Sequence, residues 1–234
     1  MHKVTRAIIM AAGKGERMKP ATLTTPKPMI RVRGVRMIGS VIEALHKNGI
    51  TDINIVTGYL GREFDVLKKE YEGLSFIDNP LYDTCNNISS LYAARHLLDR
   101  DVIITDADQI IYNPDILGAD FEISGYNATE VTAHTDEWVM TVEDKIVTKC
   151  SRDGGDKGWQ LYSISRWCRE DALKLRELVE YEFDIRKNRD IYWDDIPMIL
   201  HLDRFRLGIR KMSPNDIVEI DSYEELMKIN NNVL

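Results

Sequence analysis

Apolar residues in the first half of the chain follow two repeating patterns, one typical of helices and one typical of buried strands. Ile38, Val41 and Leu45 have the i, i+3, i+7 spacing of an amphipathic helix. Gly49 follows this stripe, at a position where glycine commonly ends a helix. Short continuous apolar runs predict strands that are buried on both faces. The predicted strands cover residues 7–11, 52–57, 74–77 and 102–105, and further helices are predicted over residues 61–71 and 88–98.

This alternation of strands with helices predicts the fold class. Parallel strands need a crossover connection that is usually helical, so the order of elements indicates βαβ units. We therefore expect an α/β protein with a Rossmann-like, mostly parallel sheet and helices on both faces. Ligands of such sheets bind at the carboxyl ends of the strands. The loop after residue 11 and the turn after residue 105 should thus lie close together.

The second half of the chain is expected to add a small antiparallel β extension. Residues 131–134, 138–142 and 145–149 are rich in β-forming residues and predict hairpin strands that close over the site. No linker, repeat or low-complexity segment divides the sequence. Residues 1–234 are therefore expected to form a single domain.

Two further helices are predicted towards the C-terminus. Residues 172–182 have helical character. Ser222 and Glu225 form an S-x-x-E capping box that opens a final helix. That helix carries Leu226 and Ile229 on its apolar side.

Composition and charge narrow the choice of partners and compartment. A net charge of −7 argues against a broad nucleic-acid or anionic-membrane surface, because such binding needs many distributed cations. Cys85, Cys150 and Cys168 are odd in number and widely spaced, which predicts free thiols and neither disulfides nor a zinc site. The apolar run near the N-terminus is too short for a signal peptide or a membrane span, so a soluble cytoplasmic protein is expected.

A glycine-rich loop with many cations follows the first predicted strand. Gly13 and Gly15 allow a tight turn that presents backbone N–H groups to phosphate oxygens. Arg17 offers a planar fork for two oxygens, and Lys27 offers a point charge. Residues 13–36 hold seven basic residues and one acidic residue, although the chain is acidic as a whole. This local excess of cations predicts a polyphosphate site.

The loop fits neither of the common phosphate-binding motifs. It lacks the spacing of a Walker A loop and the third glycine of the dinucleotide fingerprint. The string G-x-G-x-R-x-x-P-x-T-x-x-x-P-K instead resembles the signature of nucleotidyltransferases that join a nucleoside triphosphate to a phosphorylated small molecule. The residues in register with that signature are Gly13, Gly15, Arg17, Pro20, Thr22, Pro26 and Lys27.

This resemblance implies a fold and a set of roles. The fold would be that of the nucleotide-diphospho-sugar transferases, and the activity would be Mg²⁺-dependent nucleotidyl transfer. Arg17 would hold the leaving β- and γ-phosphates, and Lys27 would stabilise charge on the α-phosphoryl group. The loop residues implied to bind the nucleotide are Ala11, Ala12, Gly13 and Gly15.

Two acidic segments are candidates for a metal site. Asp106 and Asp108 end a predicted strand and, being two residues apart, point to the same side of the chain. Such carboxylates suit Mg²⁺, although a solvated acidic turn is the alternative. The resemblance implies that Asp108 is a metal ligand, with Gln109 at a position where asparagine is more usual. It also implies a second ligand, Asp221, whose alternative role is to support the following helix through the helix dipole.

The acceptor of the nucleotidyl group must be inferred from the second half of the chain. Glu137 and Trp138 lie in the predicted β extension, and Tyr192 and Asp194 follow further along. Aromatic rings beside a carboxylate suit a quaternary ammonium group such as choline. Trp159 is an additional candidate. Packing in the core is the alternative role of these aromatic side chains.

Six blocks of the sequence resemble the CTP:phosphocholine cytidylyltransferases of bacterial cell-surface choline decoration. These blocks cover residues 57–60, 85–92, 106–108, 136–138, 190–194 and 219–222. The resemblance implies transfer of a cytidylyl group from CTP to phosphocholine, which gives CDP-choline and pyrophosphate. The residues it implies are Asn86, Asn87, Ser90 and Asp106 on the nucleotide side, and Glu137, Trp138, Tyr192 and Asp194 on the choline side.

Two other functions remain open at this point. A nucleotidyltransferase for a sugar 1-phosphate, or for another small phosphorylated or phosphonate acceptor, would keep every loop role and leave the aromatic side chains to packing. A non-catalytic nucleotide-sensing domain on the same fold is a more distant alternative, because such a domain has no need for the cations and carboxylates together. The sequence leaves the oligomeric state open.

Overall fold

The computed structural model describes residues 1–231, and its centre is a nine-stranded mixed sheet. In chain order the strands of this sheet are β1 (Arg6–Ala11), β2 (Asp52–Thr57), β3 (Leu74–Asp78), β4 (Val102–Asp106), β5 (Gly125–Glu130), β6 (Val139–Glu143), β7 (Ile146–Ser151), β8 (Trp159–Trp167) and β9 (Gly208–Lys211). Their order across the sheet is β5-β9-β7-β6-β8-β4-β1-β2-β3, and β5 also pairs with β8.

Strands β4, β1, β2 and β3 form a parallel block, which confirms the sheet predicted from the sequence. Ile8 and Ile9 are both fully buried, and they pack in different hydrophobic clusters of the core. Burial on both faces explains why β1 and β4 read as apolar runs. The register places Met10 beside Val56 and Asp106, so the loops after β1 and β4 leave the same edge of the sheet.

The other half of the sheet is antiparallel. Strand β8 runs antiparallel to β4, β5 and β6, and β6 and β7 form a hairpin. The hairpin predicted over residues 138–142 and 145–149 is confirmed. The strand predicted over residues 131–134 is wrong, because the strand ends at Glu130. Strand β5 buries the polar Asn127, whose side-chain amide donates to the Ile116 carbonyl at 2.8 Å. Because β5 lacks a purely apolar inner face, its sequence pattern does not mark it as a strand.

The described residues form five α-helices. They are α1 (Met37–Lys47), α2 (Leu67–Glu70), α3 (Ile88–Ala94), α4 (Arg169–Glu180) and α5 (Tyr223–Asn231). Gly49 follows α1 with a φ of +73°, the left-handed conformation predicted for a glycine at this place. At the start of α5, the Glu225 N–H donates to Ser222 Oγ and the Ser222 N–H donates to Glu225 Oε2, which confirms the capping box.

Three predicted helices are less regular than their apolar spacing indicates. The segment predicted over residues 61–71 consists of a 3₁₀ helix followed by α2, and α3 continues as a 3₁₀ helix. Helix α4 continues as a π-helix. The short helices of the described chain are Glu16–Met18, Ala21–Leu23, Lys27–Met29, Gly61–Val66, Arg95–Leu97, Pro114–Leu117, Tyr181–Ile185, Ile196–Leu200, Leu202–Arg204 and Pro214–Asp216.

Among residues 1–231, three small strand pairs lie outside the main sheet, and one of them positions the acidic residues of the site. His2–Lys3 pairs with Asp120–Phe121, and Arg31–Val32 pairs with Val35–Arg36. Gln109–Ile111, which follows β4, pairs antiparallel with Ile217–Glu219 near the end of the chain.

None of the helices between residues 1 and 231 is both long and apolar enough to cross a membrane.

Candidate active site

A cavity of about 400 Å³ opens at the carboxyl ends of β1 and β4, where the sequence places the ligand site. The glycine-rich loop, the acidic turn after β4 and the aromatic segments of the second half all border it. Of the sixteen residues predicted for the site, only Asn86 does not line this cavity. The lining residues that the sequence did not indicate are Met10, Pro28, Leu161, Ser163 and Glu219.

The glycine-rich loop packs tightly against the segment that carries Lys27. Gly15 has a φ of +62°, and a Cβ at this position would lie 2.9 Å from Lys27 Cβ. Any larger residue would therefore push the lysine away. The Thr22 hydroxyl donates to the Gly15 carbonyl at 3.0 Å, and the Tyr59 hydroxyl donates to the Thr22 carbonyl at 2.9 Å. These bonds fix the loop. By contrast, a Cβ at Gly13 would have no heavy atom within 4 Å, so this part of the loop is open to the cavity.

Lys27 is buried between two carboxylates. Its Nζ lies 2.7 Å from Asp108 Oδ2 and 2.7 Å from Asp221 Oδ1. Burial lowers the pKa of the ammonium, but the two carboxylates outweigh that effect and raise the pKa to about 12. Lys27 is therefore charged at neutral pH. Arg17, whose side chain is mostly exposed, reaches Asp221 Oδ1 at 3.2 Å from the solvent side.

Three carboxylates form a cluster beside Lys27. Asp108, Glu219 and Asp221 each offer one oxygen, and these oxygens lie within 4.8 Å of one another. The register of Gln109 opposite Glu219 brings the two acidic segments together. Asp108 Oδ1 is buried and accepts no hydrogen bond from the described residues.

The charge state of the cluster reflects this crowding. Glu219 reaches the cavity, yet the surrounding protein and the neighbouring Asp108 and Asp221 raise its carboxyl pKa well above the ordinary value. At Asp221 the attraction of Lys27 and Arg17 outweighs burial, and its pKa is lowered. An orphaned oxygen and converging carboxylates are the donor set that Mg²⁺ prefers, so the residues present fit this ion.

Glu219 was missed at the sequence level, although a signal was present. Residues 219–221 read E-I-D and residues 106–108 read D-A-D, so both segments carry two acids at the i, i+2 spacing. In extended chain this spacing places both acids on one side.

The aromatic wall of the cavity consists of Trp138 and Tyr192. Their ring centroids are 5.9 Å apart, and the ring planes meet at 88°. Tyr192 is 46 % exposed, whereas the adjacent Trp193 is buried and stacks on Tyr126. Trp193 is therefore a core residue, which is the alternative role considered for the aromatic side chains of this region. The two rings that face the cavity form a half-open corner.

Two carboxylates accompany these rings, and they differ in burial. Asp194 is buried and accepts a hydrogen bond from the Tyr126 hydroxyl at 2.8 Å. Burial and the nearby Asp195 raise the pKa of Asp194 to about 7, against the effect of that hydrogen bond. Glu137 lies nearer the mouth of the cavity, where partial burial and Asp221 raise its pKa.

On the nucleotide side, Asn87 and Ser90 line the cavity and are held from behind. Asn87 Oδ1 accepts the backbone N–H of Trp193 at 2.8 Å, and its side-chain amide has no acceptor among residues 1–231, so it can donate to a ligand. Ser90 Oγ accepts from the Asn79 amide at 3.1 Å, so its hydroxyl proton is available for a ligand. Asp106 lies deeper in the cavity. Burial and the neighbouring Asp108 raise its pKa well above the ordinary value.

Asn86, the additional candidate Trp159, and Gln109 next to the predicted metal ligand lie elsewhere. The Asn86 N–H donates to the Arg189 carbonyl at 2.8 Å and its side-chain amide to the Asp190 carbonyl at 3.2 Å, so this residue joins two segments of the chain. Trp159 is outside the cavity, and the ammonium of Lys211 lies 4.3 Å from its ring centroid. Gln109 is buried and donates to Thr105 Oγ1 at 2.8 Å, which holds the acidic turn in shape.

Comparison with known proteins gives a consistent result. A family model described as a MobA-like NTP transferase domain matches residues 7–177. A 2-aminoethylphosphonate cytidylyltransferase of Lancefieldella rimae is 34 % identical over 95 % of this chain and 90 % of that protein. A choline-phosphate cytidylyltransferase of Streptococcus pneumoniae is 31 % identical over 96 % of both chains. A solved structure of CTP:phosphocholine cytidylyltransferase from Streptococcus pneumoniae superposes with a TM-score of 0.90 at 30 % identity, over 99 % of this chain and 100 % of that one.

Proposed function

The chain belongs to the MobA-like NTP transferase family and has the nucleotide-diphospho-sugar transferase fold, and from this premise we propose that it transfers a cytidylyl group from CTP to phosphocholine. The products would be CDP-choline and pyrophosphate. The observation that carries the proposal is the corner of Trp138 and Tyr192 beside Asp194, in the same cavity as the glycine-rich loop. The cytidylyltransferases among its relatives support CTP as the donor.

The reaction needs positioning and charge neutralisation, and no covalent intermediate. A phosphate oxygen of the acceptor attacks the α-phosphorus of CTP, and the bond from that phosphorus to the bridging oxygen of pyrophosphate breaks. Lys27 neutralises charge that develops on the α-phosphoryl oxygens, and Arg17 holds the leaving phosphates. A Mg²⁺ ion held by Asp108, Glu219 and Asp221 would neutralise phosphate charge and orient the triphosphate.

The nucleotide lies along the glycine-rich loop in this proposal. The backbone of residues 11–13 reads the base, and the open space at Gly13 lets the ligand approach the main chain. Asn87 and Ser90, whose side chains can donate to a ligand, line the same cavity.

The acceptor lies against the aromatic corner. The faces of Trp138 and Tyr192 attract a trimethylammonium group, and Asp194 supplies a buried negative charge once it is ionised. A sugar hydroxyl gains less from such a wall, because it requires hydrogen bonds that aromatic rings do not offer.

A second candidate acceptor is 2-aminoethylphosphonate. It is favoured by the relative that is 34 % identical over nearly the whole chain. Its primary ammonium would hydrogen-bond to carboxylates, and the cavity offers Asp194 and Glu137. Both candidates share a cationic amine on a short chain that ends in a phosphorus acid.

The test is pyrophosphate release from CTP in the presence of Mg²⁺ with phosphocholine, 2-aminoethylphosphonate or a hexose 1-phosphate, each measured separately. We expect phosphocholine to give the highest kcat/KM. A higher kcat/KM for 2-aminoethylphosphonate would show that this compound, the second candidate, is the preferred acceptor. Faster release with the hexose 1-phosphate would refute an ammonium-binding corner, and CTP binding without release in every arm would favour a nucleotide sensor.

A further inference from the structure

Arg152 lies directly behind the aromatic corner. It follows β7, and the pairing of Val139 with Ser151 places it across the hairpin from Trp138. The guanidinium carbon is 5.4 Å from the centroid of the Trp138 ring. Arg152 does not line the cavity, so it can affect a ligand only through its neighbours.

The same guanidinium forms an ion pair with Asp195. Arg152 Nη2 contacts Asp195 Oδ1, and the Asp195 side chain is fully buried. The other oxygen, Oδ2, accepts the backbone N–H of Tyr192 at 2.8 Å. A continuous chain of contacts thus runs from the Trp138 ring through Arg152 and Asp195 to the main chain of Tyr192.

We infer that Arg152 is a positioning residue for the acceptor, which ties the hairpin that carries Trp138 to the loop that carries Tyr192. This inference rests on the proposed function. The tie holds the two rings at a right angle across a cavity formed by segments far apart in the sequence. It also balances the charge of Asp195, so that Asp194 and Glu137 are the carboxylates left to meet a cationic ligand.

Arginine suits this position better than lysine. A guanidinium is planar and can lie against a ring while its edge binds a carboxylate. A lysine ammonium could keep the ion pair but would lose the contact with the Trp138 ring. Removal of the cation would leave the buried Asp195 without a counter-charge, which destabilises the loop around it.

The experiment compares Arg152→Ala, Arg152→Lys and the control Lys149→Ala, an exposed cation on the same hairpin strand. KM values for CTP and for the preferred acceptor are measured separately. We expect Arg152→Ala to raise the acceptor KM about tenfold or more and to change the CTP KM less than about twofold, because a loosened corner binds the amine poorly. Arg152→Lys should fall between alanine and the wild type, and Lys149→Ala should match the wild type.

An unchanged acceptor KM in Arg152→Ala would overturn the inference. Equal increases in both KM values would also overturn it, since they indicate a general structural role. These outcomes are separate from failure of the proposed function, which would appear in the wild type as a lack of turnover with any amine-bearing acceptor.

Discussion

Replacement of Lys27 by methionine tests the centre of the site. The change keeps most of the volume of the buried side chain and removes the ammonium that contacts Asp108 and Asp221. In the variant, these carboxylates and the nearby Glu219 would face one another without the cation that lies between them. We expect the variant to be less stable without metal, to gain more stability from Mg²⁺ than the wild type does, and to turn over slowly.

The magnitude follows from the raised pKa of Lys27. A rise from 10.5 to about 12 corresponds to about 2 kcal/mol in favour of the charged form. Because the folded-state pKa is the higher one, this stabilisation is fully present below pH 10.5 and is lost as the pH rises through 12. At neutral pH its loss should lower the melting temperature by roughly 4–8 °C for a chain of this size. Loss of a preorganised charge at the α-phosphoryl group should lower kcat by roughly a hundredfold or more.

The assay is thermal unfolding at pH 7.5, with EDTA or with saturating Mg²⁺, together with pyrophosphate release. The matched control is Lys19→Met, because Lys19 belongs to the same loop and pairs only with the exposed Glu16 among the described residues. A Lys27→Met protein with the melting temperature of the wild type in EDTA would refute the electrostatic argument. Wild-type turnover would refute the catalytic role of Lys27.

Three further results are expected. Asp221→Asn should lose most Mg²⁺-dependent turnover because a carboxylate ligand is removed, whereas an unchanged Mg²⁺ titration would return Asp221 to supporting α5. Trp138→Leu should raise the phosphocholine KM roughly 10- to 30-fold with little change in the CTP KM. The control Trp159→Leu should leave both KM values unchanged, and equal effects of the two variants would contradict the aromatic corner. The acceptor kcat/KM should fall as the pH drops below about 7, because Asp194 becomes protonated there. This pH dependence should be weaker in Asp194→Asn, and identical pH profiles of the variant and the wild type would exclude Asp194 as the titrating group.

The parallel half of the sheet could be predicted from the sequence because three of its four strands, β4, β1 and β2, are largely buried on both faces. Burial of this kind leaves an unbroken apolar run, and the residues that end β1 and β4 could be assigned to one edge. Strands β5 and β8 did not give such a signal. Arg166 of β8 and Asn127 of β5 are buried and bond to each other at 2.8 Å. A polar residue is tolerated in the core when its partner lies across the sheet, and one strand's pattern does not reveal that partner.

The candidate site shows the same division. Residues of the glycine-rich loop are close together in sequence, so the glycines and the local excess of cations indicated a phosphate site. Glu219 joins the acidic cluster only because two strands more than a hundred residues apart pair with each other. The role of Arg152 likewise could not be predicted from the sequence, since its partners Trp138 and Asp195 come from different segments. Position in the sequence also did not show that Trp159 lies outside the cavity.

The pairing of Gln109–Ile111 with Ile217–Glu219 has a consequence for how the protein matures. Two of the three clustered carboxylates come from residues 219–221, close to the end of the chain. A polypeptide that stops before residue 217 retains the glycine-rich loop, the nine-stranded sheet and both aromatic rings, but it has lost Glu219 and Asp221. During synthesis on the ribosome, the site therefore stays incomplete until residues 217–221 have emerged and Ile217–Glu219 has paired with Gln109–Ile111. A translation product interrupted before residue 217 would contain every strand of the nine-stranded sheet, yet it would lack the acidic cluster.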